Sequence, residues 1–179
     1  MEGDAGITSV EDCIRTWSPY ILQVRNDTGL NAVVIGAQWG LETGWHQTGV
    51  RQGRVGWHGQ FNLAGIMGPD GYPQDFSSYE EFAARYIAII EAYAKTMGPP
   101  GSSIADSIRW LSESPWNGSH YMQDGHNVLQ AVVDSFGDLI HTLLFGSPPE
   151  PRGVLTVVLT VAGYRPVKVD LVPLDTQTQ

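Results

Sequence analysis

Residues 31–45 read NAVVIGAQWGLETGW. Asn31 suits a helix N-cap and Gly44 a helix stop, so the stretch between them is predicted to be a helix running to about Thr43. That helix carries Val33, Val34, Ala37 and Leu41 and is otherwise apolar except for Gln38 and Glu42 near its end. These two lie one turn apart and face the same way, so they can line one groove. A carboxyl placed among Trp39, Leu41 and Trp45 is partly withdrawn from water, and desolvation raises its pKa. A raised carboxyl is what protonating a departing glycosidic oxygen at neutral pH requires. The Gln38 amide suits an acetamido group or a water. The plainer alternative for Glu42 is a solvated helix-end residue.

Working outward, residues 1–145 read as helices joined by Gly- and Pro-rich connections. Ser9 is an N-cap ahead of Val10, Cys13, Ile14 and Trp17. Ser18 followed by Pro19 reads as the start of a second helix, carrying Ile21 and Val24 and stopping at Asp27, Thr28 and Gly29. Residues 44–77 are rich in glycine, with Trp45, Trp57 and Phe61, and read as an ordered loop region. Ser78 to Glu81 has capping-box spacing, and Tyr79, Phe82, Tyr86, Ile90, Tyr93 and Met97 recur at helical intervals up to Gly98. A short helix follows from about Ile104 to Ser112. A long one from about Gln123 to Phe145 is expected to bury Val128, Val132, Val133, Phe136, Ile140 and Leu143.

After residue 146 the composition changes. Residues 147–152 form a Pro-rich linker, and 153–179 hold two predicted strands, Val154–Val161 and Val167–Val172, around Ala162 and Gly163. A lone hairpin is marginal, so it is expected to pack on the helical body, pair with another chain, or begin a further domain. The predicted organisation is a mainly α domain over 1–146, the linker, and a short β-hairpin extension.

Bulk properties remove several functions. Ten Lys and Arg against nineteen Asp and Glu give a net charge of -9, which argues against a phosphate-tracking surface and so against nucleic acid. With 42% apolar and 16% charged residues the composition is globular, and no stretch approaches the roughly 18 uncharged apolar residues that a membrane span needs. The acidic N-terminus lacks the pattern of a secretory signal. Cys13 is alone, and His46, His58, His120, His126 and His141 show no ligand spacing, so no metal or cofactor is predicted. Of these only His120 lies near a motif of interest.

Four blocks in order carry a resemblance. They are Ala37-Gln38 with Leu41-Glu42-Thr43-Gly44-Trp45, Phe61-Asn62-Leu63-Ala64-Gly65-Ile66, Phe76 with Tyr79, and Ser114-Pro115-Trp116 with His120-Tyr121. Together, over roughly residues 30–140, the chain resembles the bacterial endo-β-N-acetylglucosaminidases, a glycoside hydrolase family 73-like group of the lysozyme-like superfamily that includes autolysins and phage lysins. The resemblance implies a lysozyme-like helical domain with a glycan groove, cleavage of the peptidoglycan backbone, Glu42 as general acid, Asn62 shaping the groove and Tyr121 near the cleft. On the residues alone, Asn62 can offer donor and acceptor to a sugar amide or stabilise a turn. Tyr121 can position a water or an N-acetyl group, or be a core aromatic. Trp45, Phe61 and Trp116 suit stacking on a pyranose face and suit the core equally well.

The chain departs from many relatives between residues 67 and 76, where a short link replaces a hairpin thought to supply a second acid. Asp70 and Asp75 are the carboxylates in that link, and either can act as base if the loop folds over the groove. Pro69-Asp70-Gly71 is also an ordinary turn sequence, and Glu80 and Glu81 are explained by a helix N-terminus. Without a second carboxylate, the substrate's N-acetyl group or the muramic 6-hydroxyl must attack, the latter as in lytic transglycosylases. A non-catalytic glycan-binding module is the alternative outside enzymes. The expected setting is a phage virion or released lysin acting on the wall, or an exported bacterial wall enzyme. The C-terminal β segment is a candidate for self-association or a virion contact.

Overall fold

The computed structural model describes residues 9–45, 59–116, 121–123 and 125–146, with the backbone of Leu155–Leu159 and Val167–Leu171. Expectations for His46, Trp57, His58, His120 and the 147–152 linker fall outside the described residues. The chain divides into two units, Met1–Pro148 and Pro149–Gln179. The second contains strands β3 (Leu155–Leu159) and β4 (Val167–Leu171), paired antiparallel with Leu155 opposite Leu171.

The first unit is mainly helical. Its elements are α1 (Val10–Thr28), α2 (Ala32–Thr43), α3 (Tyr79–Met97), α4 (Ile104–Glu113), the two-residue strands β1 (Met122–Gln123) and β2 (His126–Asn127), and α5 (Val128–Phe145). Side-chain caps start the helices: Ser9, Asn31, Ser78, Ser103 and Asn127 each accept a backbone N–H from the first turn. The anticipated capping box at Ser78 is shifted by one residue. Ser78 Oγ accepts from the Glu81 amide, but the Glu81 carboxylate returns to the amide and hydroxyl of Ser77.

Two boundaries differ from expectation. Pro19 lies inside α1 and does not start a new helix. A mid-helix proline removes one i to i−4 hydrogen bond, yet Cys13, Ile14, Trp17, Ile21 and Val24 make one buried stripe on both sides of it. Packing of that stripe keeps the helix continuous. The last helix starts at Val128, about five residues late, because Met122–Gln123 pairs with His126–Asn127 and the Val128 amide donates to the Tyr121 carbonyl. In α5, Leu129, Val133 and Ile140 are buried, whereas Val128, Val132, Phe136 and Leu143 are half-buried at the edge of the core. By length and mean hydropathy α5 is long and apolar enough to cross a membrane, although it carries Asp134 and Asp138. In this fold it packs against α1 and α2.

The core is organised around α2, which packs on α1, α4 and α5. Every residue from Ala32 to Gly40 is buried, the signature of a helix with neighbours on all sides. Two glycines permit this. At Gly36, a Cβ would come within 3.1 Å of Ile140 and 3.5 Å of Ile14, so its bare backbone lets α1 and α5 close in. At Gly40 a Cβ would overlap the Trp45 indole, which folds back over the end of α2. That indole stacks on Trp17 (6.2 Å between centroids, 14° between planes) and meets Phe136 edge-on. Cys13 Sγ donates to the Trp45 carbonyl at 3.0 Å, fixing the turn that places it.

Gly40 and Gly137 give opposite expectations. Gly40→Ala forces the Trp45 ring from its seat and should lower unfolding stability by about 2 kcal/mol despite the better helix propensity of alanine. Gly137→Ala in α5 meets only ordinary contacts with Val33 and Val133 at 3.4 and 3.5 Å, and should be neutral or stabilising by up to about 1 kcal/mol. Urea unfolding of both variants, compared with the parent, checks the contrast.

Candidate active site

Gln38 and Glu42 do share one face of α2, but Gln38 is not available to a ligand. It is fully buried. Its Oε1 accepts from the Tyr86 hydroxyl at 2.5 Å, and its Nε2 donates to the Tyr121 hydroxyl at 2.7 Å. Tyr121 in turn donates to Glu42 Oε1 at 3.1 Å. The result is a one-directional chain of hydrogen bonds, Tyr86 to Gln38 to Tyr121 to Glu42, that draws on α3, α2 and the turn before β1. The expected amide contact to substrate is thereby replaced by a structural role. A buried amide finds protein partners because leaving it unpaired costs roughly 1–3 kcal/mol.

Tyr86 and Tyr121 are both fully buried. Burial, and then the nearby Glu42 carboxylate, push both phenols far above the ordinary tyrosine value. Both hydroxyls donate hydrogen bonds in this arrangement. Tyr121 was expected near the cleft as a positioning group, and it does hold one oxygen of Glu42.

The second oxygen of Glu42 looks toward the loop from residue 59 to 76. Oε2 lies 3.2 Å from where a Cβ on Gly65 would sit, and Gly65 has φ +63°. Only glycine meets both demands, the left-handed backbone and the space for the carboxylate. Asn62 fixes this loop. Its Oδ1 accepts from the Ile66 amide (2.9 Å), and its Nδ2 donates to the carbonyls of Ile66 (2.8 Å) and Gln74 (2.9 Å). Both amide hydrogens are committed and the side chain is fully buried, so Asn62 braces the loop from within and offers no amide hydrogen to a ligand.

Neither acid of the link stands free beside Glu42. Asp75 Oδ1 accepts from the amides of Gly59 (2.6 Å) and Gln60 (2.8 Å), clamping the start of the loop to its end. Asp70 Oδ1 accepts from the Tyr72 amide at 3.1 Å, an ordinary turn bond. Both line a separate pocket among residues 68–75. Through these bonds both carboxylates brace turns of their own loop.

A cleft of about 330 Å³ opens next to Gly65. It is lined by Gly65, Ile66 and Met67 of the loop, by Arg85, Ile89 and Tyr93 of α3, and by Pro115 and Trp116. Trp116 is thus placed as an aromatic platform in the cleft, with its ring 5.0 Å from that of Tyr86. The other two candidate platforms are not. Trp45 belongs to the Trp17 and Phe136 cluster, and Phe61 sets its edge against Tyr79 at 4.9 Å. Trp39, expected beside the carboxyl, is fully buried and meets Phe82 and Tyr86 edge-on. Glu42 itself is half-buried, between Tyr121 and Gly65.

Three residues of this arrangement were not singled out from the sequence: Tyr86, Gly65 and Arg85. For Tyr86 a signal existed, since a phenol on the apolar stripe of α3 needs a buried partner for its hydroxyl.

The titration behaviour of the relay can be measured. A group whose folded pKa is raised stabilises the fold fully below its unfolded value, near 10 for tyrosine, and progressively loses that contribution as pH rises above it. Absorbance titration of the native protein should therefore show Tyr86 and Tyr121 silent until an alkaline unfolding transition above about pH 10. Tyr121→Phe should remove one of these late-ionising phenols. Ionisation of more than five of the seven tyrosines with the fold intact would contradict the buried relay. Compared with known proteins, the chain matches no family model, no curated protein and no solved structure.

Proposed function

We propose that this chain is a glycosidase that cleaves the β-1,4 glycan backbone of bacterial peptidoglycan, an endo-β-N-acetylglucosaminidase of lysozyme-like fold with Glu42 as its general acid. The observation that carries the reading is the seating of one half-buried carboxyl beside an aromatic-lined cleft, with Oε1 held by Tyr121. The Tyr121 hydroxyl has a single proton and gives it to Oε1, so in the neutral acid the transferable proton belongs on Oε2. The carboxyl is half-buried and lies in the last turn of α2, which carries no basic residue. The Tyr121 donation favours the carboxylate that remains after transfer. A group that must give a proton and take it back needs both forms within reach.

The loop closure by Asp70 and Asp75 favours a single-acid route. Glu42 protonates the glycosidic oxygen and the C1–O bond breaks. The carbonyl oxygen of the substrate's own N-acetyl group bonds to C1. Water then opens that ring, and its proton returns to the Glu42 carboxylate. A lytic transglycosylase on the same polymer is the second reading, favoured by the same observation, with the muramic 6-hydroxyl as the attacking group. The place of action is the bacterial wall, for a phage lysin or virion-borne enzyme or for an exported bacterial hydrolase. The C-terminal hairpin is then a site for self-association or virion attachment.

Mass spectrometry of fragments released from purified wall tests this directly. Free N-acetylglucosamine reducing ends are expected, whereas anhydro-muramic ends would favour the transglycosylase. Glu42→Gln should cut the rate by about 10²–10⁴-fold, and an undiminished rate would refute the assignment, as total inactivity of the parent would favour a binding module. Tyr121→Phe should lower kcat about tenfold with KM little changed, and lower stability by roughly 1–3 kcal/mol because Gln38 Nε2 loses its acceptor.

A further inference from the structure

Arg85 lies on α3 with Ile89 and Tyr93 at successive four-residue steps, and the three side chains form one stripe along the cleft wall. Among the described residues Arg109 has a carboxylate partner and Arg15, Arg25, Arg85 and Lys95 have none, and of these Arg85 lines the cleft beside Gly65. Arg109 pairs with Asp106 on its own helix. Arg85 is exposed and has no acidic partner among the described residues. Its natural helical partner is Glu81, one turn earlier, but that carboxylate is spent on the amide and hydroxyl of Ser77. A guanidinium with no carboxylate partner among the described residues therefore lines a cleft that also presents Ile89, Tyr93 and Trp116.

We infer that Arg85 is a specificity-determining residue that anchors a carboxylate borne by the glycan substrate. This inference rests on reading the cleft as a glycan site. Neutral N-acetylated sugars give a guanidinium no counter-charge, whereas a muramic unit carries a carboxylate on its lactyl ether when free of peptide, and on the stem peptide when substituted. The planar fork of arginine matches either carboxylate with two parallel hydrogen bonds. Arg85 then selects strands containing muramic acid over uncharged polymers of N-acetylglucosamine and sets the register of the strand against Glu42.

Calorimetric titration of the full chain carrying Glu42→Gln, which separates binding from turnover, tests this with three soluble ligands. They are a neutral chito-oligosaccharide, peptide-free wall strands and peptide-bearing wall strands. At least one carboxylate-bearing ligand should bind about tenfold or more tightly than the neutral one. Adding Arg85→Gln should erase that preference and leave the neutral Kd unchanged, and Arg85→Lys should restore part of it. A preference confined to peptide-free strands locates the lactyl carboxylate, and one confined to peptide-bearing strands locates the stem. Equal affinities for charged and neutral ligands, a uniform loss across all three in Arg85→Gln, or no binding of any ligand would overturn the inference. Arg85-dependent binding with no fragments released by the unsubstituted chain would instead sink only the glycosidase reading. Cleavage of wall strands unaffected by Arg85→Gln would sink only the anchor.

Discussion

The hydrogen-bond chain that starts at Tyr86 and ends on Glu42 is the constraint on which the site depends. Each member has a fixed part to give. Tyr86 and Tyr121 have one proton each, and Gln38 has one carbonyl and one amino group between them. The order of donors and acceptors leaves one orientation for the amide and one for the carboxyl. In a dry interior such bonds polarise one another, and a missing member leaves its neighbours unpaired. The orientation of a half-exposed carboxyl is thus decided by a phenol deep in the core.

Packing makes that chain possible. Because α2 is enclosed on all sides, Gln38 has no water to bond with and must be satisfied by protein. Because Trp45 folds over Gly40 and stacks on Trp17, the end of α2 is covered by an aromatic lid of its own making. The left-handed backbones of Trp45 and Phe61 cost on the order of 1–3 kcal/mol each. They sit on either side of residues 46–58.

The helices were legible because their signals are local. Ser9, Asn31 and Ser78 announce their helices within three residues, and Gly29, Gly44 and Gly98 end them. Pro19 misled because proline at a helix start is common, and the stripe that carries α1 through it is seen only as packing. The start of α5 misled because a pairing of two residues with two leaves no periodicity to read. In the site, the i to i+4 relation of Gln38 and Glu42 was visible, but the direction of the Gln38 amide is fixed by Tyr86, 48 positions away. The same holds for Asp75, whose carboxylate is claimed by amides 15 and 16 positions earlier. Residue type and short spacing nominate a polar side chain. Distant partners decide whether it is left over for chemistry.

Gly65 lies under the carboxyl for two unrelated reasons, its backbone hand and its missing side chain. Either would exclude most amino acids, and together they leave that position almost no evolutionary freedom while position 42 keeps its task. A descendant of this chain could drift widely in its helices and still have to retain that pair, twenty-three residues apart. The pair is therefore a better fingerprint of shared ancestry than the overall level of identity.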